Sequence, residues 1–109
     1  MIIKLDKEYK LKTTLGTIKQ IEETFQKSFF EVVESVGKMK VEEQLKFLFA
    51  GIKKANPDIA EKAFIDLCED HVGMGDLIEY MEKYIYALQY PGLSEAEAQD
   101  KIEKKLKRP

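Results

Sequence analysis

The sequence predicts a mainly helical domain, α+β by strict count, in which an N-terminal β-hairpin precedes a compact bundle of five to six helices. Three observations support this fold class. Apolar and charged residues alternate over residues 2–12, which is the period of a strand with one buried face. From residue 14 onward, apolar residues recur every three or four positions, as on one side of a helix. Residues that favour turns or helix ends separate these segments.

The composition is that of one globular domain in a reducing compartment. A length of 109 residues suits a single domain, and a hydrophobic content of 44% suffices for a core without a metal or a disulfide. Cys68 is the one cysteine, so no internal disulfide forms. No apolar run approaches the ~20 residues that cross a bilayer, and the first ten residues do not resemble a signal peptide. We therefore expect a cytoplasmic protein that does not bind membranes.

The charge balance argues against nucleic-acid binding. The formal net charge is −2, whereas proteins that neutralise phosphates carry a surplus of lysine and arginine. A basic cluster stands near the end of the sequence, at Lys101, Lys104, Lys105, Lys107 and Arg108. We interpret this cluster as a solvated tail that complements the negative end of a helix dipole.

The hairpin and the first two helices follow one another closely. Residues 2–12 form the hairpin, with a polar break at Asp6-Lys7 and a buried face made of Ile3, Leu5, Tyr9 and Leu11. Thr13 or Thr14 caps the first helix, whose apolar face comprises Leu15, Ile18, Ile21 and Phe25. Ser28 and Glu31 have the spacing of a capping box at the start of the second helix, and Gly37 ends that helix.

Three longer helices follow. The third covers about residues 40–55, ends before Pro57, and has the clearest apolar face: Val41, Leu45, Leu48, Phe49 and Ile52. Asp58 with Glu61 opens a fourth helix that runs to Gly73. After a turn over residues 73–75, Asp76 starts a fifth helix that ends at Pro91-Gly92.

The last helix, residues 95–107, has a thin apolar stripe. Ser94 and Glu97 form its capping box, and only Ala98, Ile102 and Leu106 face the domain. Such a helix gains little from packing, so we expect it to rearrange when a partner binds. The single domain 1–109 thus consists of the hairpin (2–12), a helical core (14–92) and a weakly packed C-terminal helix (93–109).

The residues do not suggest catalysis. His71 is the one histidine, and with Cys68 it forms a C-x-x-H pair. A structural zinc site needs four ligands, and a catalytic Cys–His pair needs an orienting group and an oxyanion hole, which no motif indicates. We expect a packed thiol, an imidazole at the edge of the core, no cofactor, no metal and no enzymatic activity. An enzyme with a Cys68–His71 site remains only a formal option.

Apolar side chains that project away from the core stripes are candidates for binding another protein. Phe47 lies about 140° from the centre of the stripe on the third helix, at ~100° per residue, and Tyr86 and Tyr90 lie opposite the stripe of the fifth. Ile102 and Leu106 on the last helix complete the set. Large aromatic residues are enriched at interfaces, although a second covering helix would explain these positions equally well.

The segment Leu11 to Ser28, LKTTLGTIKQIEETFQKS, resembles the opening of tail assembly chaperones of long-tailed phages and related prophage elements. In that family a short β element leads into a helix of the type T-L-G-x-I-x-x-I-E-x-x-F. The matching residues are Thr14, Leu15, Gly16, Ile18, Ile21, Glu22 and Phe25, and a serine follows at Ser28. The family often has glycine after the aromatic residue, where this chain has Gln26. The resemblance covers about a sixth of the chain.

This resemblance implies a non-enzymatic helper of virion morphogenesis. Such a protein acts in the bacterial host cytoplasm and is absent from the mature virion. It binds the tape measure protein, keeps it soluble, and helps recruit tail tube protein; weak self-association along the client is also implied. The alternative is a protein of another class, a small prophage or plasmid regulator that sequesters a single protein partner.

Overall fold

The computed structural model has the predicted architecture, a mainly helical fold with a small N-terminal hairpin. It describes the backbone of residues 1–106, and the side chains of residues 95 and 104–106 lie outside that description. The elements are β1 (Ile2–Lys4), β2 (Glu8–Lys10), α1 (Leu15–Phe25), α2 (Phe29–Ser35), a 3₁₀ turn (Val36–Lys38), α3 (Val41–Ala55), α4 (Glu61–His71), α5 (Met74–Gln89) and α6 (Glu95–Leu106).

The hairpin buries the face that its alternating pattern predicts. The strands β1 and β2 are antiparallel, and Ile3 lies opposite Tyr9 with both side chains buried. The turn is fixed by Asp6, whose Oδ1 accepts the Lys7 N–H at 3.0 Å and the Tyr9 hydroxyl at 2.9 Å. The hydrogen bond to Asp6 raises the pKa of Tyr9, and burial adds to the shift.

The hairpin is fastened to the helices by hydrogen bonds from its backbone. The Lys12 N–H donates to the Gly51 carbonyl of α3 at 3.0 Å, and the Asn56 side-chain amide donates to the Lys10 carbonyl at 3.0 Å. The Lys4 N–H donates to the Tyr80 hydroxyl of α5 at 3.3 Å. A two-stranded hairpin is marginal in water by itself, so these bonds explain how so short a sheet persists.

Helix α1 packs on the core through three of the four residues expected, since Ile21 is buried and Ile18 and Phe25 are partly buried. Thr17 and Ile21 are its buried residues, and the Thr17 hydroxyl donates to the Lys12 carbonyl at 2.8 Å. The prediction that Leu15 belongs to the core is wrong, since 78% of its surface is exposed. The reason is that the helix begins at Leu15 and turns its threonine side toward the end of the hairpin. Thr14 is the N-cap, but its side chain makes no capping bond.

Local hydrogen bonds fix the junction between α1 and α2. Gln26 ends α1 in the left-handed conformation, with φ +55°, and its N–H donates to the Glu22 carbonyl at 2.8 Å. The predicted Ser28–Glu31 capping box forms, since the Ser28 hydroxyl accepts the Glu31 N–H at 3.3 Å. The Glu22 carboxylate also accepts the Phe29 N–H at 2.9 Å. These contacts satisfy N–H groups that the first turn of a helix leaves open.

Helix α3 is the centre of the domain and packs against α1, α4, α5 and β2. Its bounds agree with the prediction, but nearly half of its residues are buried: Gln44, Leu45, Phe47, Leu48, Ala50, Gly51 and Ile52. Of the predicted core face, Val41 in the first turn is exposed and Phe49 is only partly buried against the core. Because neighbours surround α3 on several sides, one stripe does not describe its buried surface.

The boundaries of α4 and α5 differ from the predictions by two or three residues. Helix α4 begins at Glu61 instead of Asp58, and its N-cap Ala60 has no capping side chain. The Lys53 ammonium binds the carbonyls of Pro57 and Ile59, which holds this segment in a turn. Helix α5 begins at Met74, so Gly73 alone is its N-cap. Within residues 1–106, no helix is long and apolar enough to span a bilayer.

Helix α6 packs mainly on α5. Its Ser94–Glu97 capping box forms, with the Glu97 N–H donating to the Ser94 hydroxyl at 3.2 Å. Ala98 is buried and Ile102 is partly buried, whereas the side chain of Leu106 lies outside the described residues. Ala98 and Ile102 are thus the described side chains of α6 that are at least partly buried.

We expect the amides of residues 96–102 to exchange with solvent faster than those of α3 in the isolated protein. The reason is that α6 is held by one buried alanine and one half-buried isoleucine, while α3 is buried on several sides. Hydrogen exchange read by mass spectrometry measures this difference. Equal protection of the two helices would show that α6 is one more packed core helix.

Candidate partner-binding groove

Phe47, proposed from the sequence as an exposed binding residue, lies in the core. Its side chain is 0% exposed and meets the ring of Tyr84 edge to face, with centroids 5.0 Å apart and planes at 73°. The prediction is wrong because α5 covers a second face of α3. Gln44, Phe47 and Gly51 lie three and four residues apart and together form that face.

Two polar groups on this covered face are buried. The Gln44 side-chain amide donates to the Val36 carbonyl at 2.9 Å, which ties α3 to the 3₁₀ turn. The Tyr84 hydroxyl lies beside Gly51, and burial raises its pKa far above the ordinary value, an effect that the nearby Gly51 backbone opposes only in part. By its geometry, this hydroxyl has no hydrogen-bond partner in the described structure. This face of α3 therefore packs inside the domain, against Tyr84 of α5.

The other candidate residues are spread over different surfaces. Tyr86 is half-buried and lines a cleft with Met1, Thr13 and Leu93. Tyr90 is half-buried in a second cleft, and the Lys101 ammonium lies 5.3 Å from its ring centroid. Ile102 lies on α6, and the Leu106 side chain is outside the described residues. The structure thus does not bring these candidates together in one site.

The cleft that contains Tyr90 has a mainly apolar lining that includes exposed large side chains. It lies between the first turns of α1 and α2 and the last turn of α5, has a volume of about 340 Å³, and we call it the groove. Six residues give it its apolar and aromatic surface: Leu15, Ile18, Phe29, Phe30, Leu88 and Tyr90. The other two residues of the lining, Glu22 and Gln89, have polar side chains.

Two groove residues are the most exposed large hydrophobic side chains among those described. Leu15 is 78% exposed and Phe30 is 70% exposed. The Phe30 ring rests edge-on against buried Phe29, with centroids 5.5 Å apart at 68°. Exposed apolar side chains beside an apolar cleft mark interaction surfaces more often than isolated ones do.

Sequence reasoning missed both residues, although Phe30 had a usable signal. Phe29 and Phe30 are adjacent, so on one helix they point about 100° apart and cannot both occupy the centre of a buried face. Leu15 offered no such signal, because it fits the apolar period of α1. Its exposure depends on where α2 and α5 pack.

Cys68 and His71 do not form a site. Cys68 is buried, while His71, one turn later, is exposed, so the prediction of a packed thiol is confirmed and that of a core-edge imidazole is wrong. Burial, with a smaller effect of the Glu69 charge, raises the pKa of the thiol to about 12. The described residues contain no group of three or more side chains suited to hold a metal ion.

Cys68 should therefore react slowly with a disulfide reagent such as DTNB at pH 8 and rapidly once urea unfolds the chain. The folded thiol holds its proton more tightly than an unfolded one with a pKa of 9.0. This difference in pKa stabilises the folded state. Its contribution to the free energy of unfolding is fully present below pH 9 and is lost as the pH rises toward 12. A Cys68→Ala variant should lack that part of the pH dependence. Rapid modification of the folded protein would contradict the buried position.

Comparisons with known proteins give no match. No protein-family model matches the chain, and no curated protein or solved structure is significantly similar to it.

Proposed function

We propose that this protein is a tail assembly chaperone of a long-tailed phage or prophage element. In this role it binds the tape measure protein in the bacterial host cytoplasm, keeps it soluble, and helps recruit tail tube protein. It performs no catalysis and leaves before the virion is mature. The proposal rests on the resemblance of residues 11–28 and is supported by the conformation of that segment.

The observation that carries the proposal is the backbone at Gln26. The family often has glycine at this position, where this chain departs from the pattern, and Gln26 is the one residue other than glycine with a positive φ among those described. Glycine is the residue that most readily ends a helix in the left-handed conformation. The family pattern and the geometry of this chain therefore agree on where α1 must stop, even though the residue differs.

Other residues of the matching segment connect α1 to the core and to α2. Ile21 is buried in the core, and Glu22 bridges α1 to the first N–H of α2. Within this segment, α1 is thus fixed both to the core and to the start of α2.

The exposed groove supports a client-binding role. A tape measure protein presents a long apolar helical surface, and such surfaces aggregate unless another apolar surface covers them. Leu15 and Phe30 provide exposed apolar side chains of the kind that bind a helix.

Two experiments test the proposal. The DNA flanking the gene should encode a tail tube protein on one side and a very long tape measure protein on the other. Co-expression with that tape measure protein should raise its soluble fraction, which ultracentrifugation and gel densitometry measure. A neighbouring gene for a single small partner, with no tape measure gene, would favour the regulator instead. A tape measure protein that stays insoluble would contradict the chaperone.

A further inference from the structure

We propose that the groove binds one face of an amphipathic helix whose flanking polar residues are lysine or arginine. The identity of the physiological client rests on the proposed function. The recognition chemistry does not, because it follows from the shape, apolar surface and charge of the groove.

The apolar part of the groove fits side chains that project from a helix. Leu15 and Phe30 belong to different helices and are exposed, while Leu88 between them in the lining is buried and Ile18 is partly buried. The contact with Phe29 holds the Phe30 ring in place. A helix that presents apolar residues at i, i+3 or i+4, and i+7 can cover such a surface and fill its floor.

The charge of the groove determines which polar residues are favoured beside the apolar face of the bound helix. Glu22 is the one charged residue in the lining, and the Lys101 ammonium lies 5.3 Å from the ring centroid of Tyr90, which also belongs to the lining. The Phe29 N–H binds its Oε2 and fixes the carboxylate, and Glu22 is half-buried, so solvent and salt screen it less than an exposed charge. Glu34, one helical turn after Phe30, adds negative charge on the same side of α2.

The neighbouring cleft does not reverse this preference. It shares Glu22 with the groove and contains Lys19 and Lys27 together with Glu23 and Glu31. Its three carboxylates outnumber its two ammonium groups, so the side of the groove that faces it stays acidic. On the side of the groove that Glu22 forms, a cationic edge is therefore attracted and an anionic edge is repelled.

The size of the groove argues for a helix and against a second copy of this chain. A stable dimer buries about 800 Å² on each partner, which is far more than two exposed side chains and a cleft of this volume provide. A short helical segment needs only a few anchor side chains. Contacts of this size are weak singly, and their strength comes from repetition along one long client.

The test uses two helical peptides of about 18 residues, which is long enough for helix formation in water. Both carry leucine on one face, and the other face carries lysine in the first peptide and glutamate in the second. Titration of the full ¹⁵N-labelled chain should show that the lysine peptide shifts the resonances of Leu15, Phe30 and Leu88. The glutamate peptide should bind at least about tenfold more weakly.

Single substitutions locate the binding surface. Leu15→Ser and Phe30→Ser should each weaken binding of the lysine peptide by about tenfold or more, without changing the thermal unfolding of the protein. Glu22→Gln should weaken it by about two- to fivefold and reduce its salt dependence. Met74→Ser and Ile78→Ser are matched controls, because both side chains are exposed and apolar but lie at the other end of α5. These two variants should bind as the unchanged protein does.

Three results would overturn the inference. Equal binding of both peptides would remove the charge preference, and unchanged affinity in Leu15→Ser and Phe30→Ser would remove the groove. A dimer in sedimentation experiments that Leu15→Ser dissociates would identify a second copy as the occupant. If the peptides fail while the tape measure protein is still kept soluble, the groove assignment alone is wrong. If the peptides bind but the tape measure protein stays insoluble, the proposed function alone is wrong.

Discussion

Replacing Phe47 with alanine should lower the free energy of unfolding by about 3–5 kcal/mol, the usual range for a buried phenylalanine. The side chain is fully buried, and its removal leaves a cavity beside Tyr84 as well as the loss of an edge-to-face aromatic contact. Urea unfolding of the purified variant, followed by circular dichroism, measures the loss.

Phe30→Ala is the matched control for Phe47→Ala. It removes the same atoms from a position that is 70% exposed, so the free energy of unfolding should change by about 0.5 kcal/mol or less. Similar losses at Phe47 and Phe30 would show that α5 does not cover the second face of α3.

Gly51→Ala should destabilise the protein by about 1–3 kcal/mol, although alanine favours a helix over glycine by ~1 kcal/mol. A Cβ at this position would lie 2.8 Å from Cε1 of Tyr84, 2.9 Å from its hydroxyl oxygen and 3.0 Å from the Lys12 carbonyl oxygen. The new methyl group must displace either a fully buried ring or the hairpin backbone. Urea unfolding again gives the measurement.

Gly75→Ala provides the comparison for Gly51→Ala. Gly75 also lies within a helix, but nothing stands within 4 Å of the position where its Cβ would be. Here the higher helix propensity of alanine should act alone and raise stability by up to ~1 kcal/mol. If the two substitutions change stability in the same direction, the close approach at Gly51 does not constrain the fold.

Local patterns predicted the elements because each depends on residues close in sequence. The alternation of Ile3, Leu5 and Tyr9 is enough to fix the buried face of the hairpin, and the Ser28–Glu31 spacing locates the start of α2. The bounds of α3 follow similarly from its apolar period and from Pro57 beyond its end. Cys68, on the apolar side of α4, is buried as expected.

The candidate site could not be predicted, because it depends on which helices become neighbours. The second buried face of α3 includes Gln44 and Gly51, which are not hydrophobic, so Phe47 looked like an isolated exposed ring. The groove was missed for a different reason. Leu15 and Phe30 come from separate helices, and they line one cleft together with residues from the end of α5.

The attachment of the hairpin to α3 has a consequence for the order of folding. Lys12 and Gly51, which the hydrogen bond joins, are about 40 residues apart in sequence, so the loop between them must close before that bond can form. The hairpin is too small to persist alone and therefore waits for α3. Substitutions in α3 should mainly slow folding, whereas substitutions in the hairpin should mainly accelerate unfolding. The hairpin is thus expected to become stable only after α3 has formed.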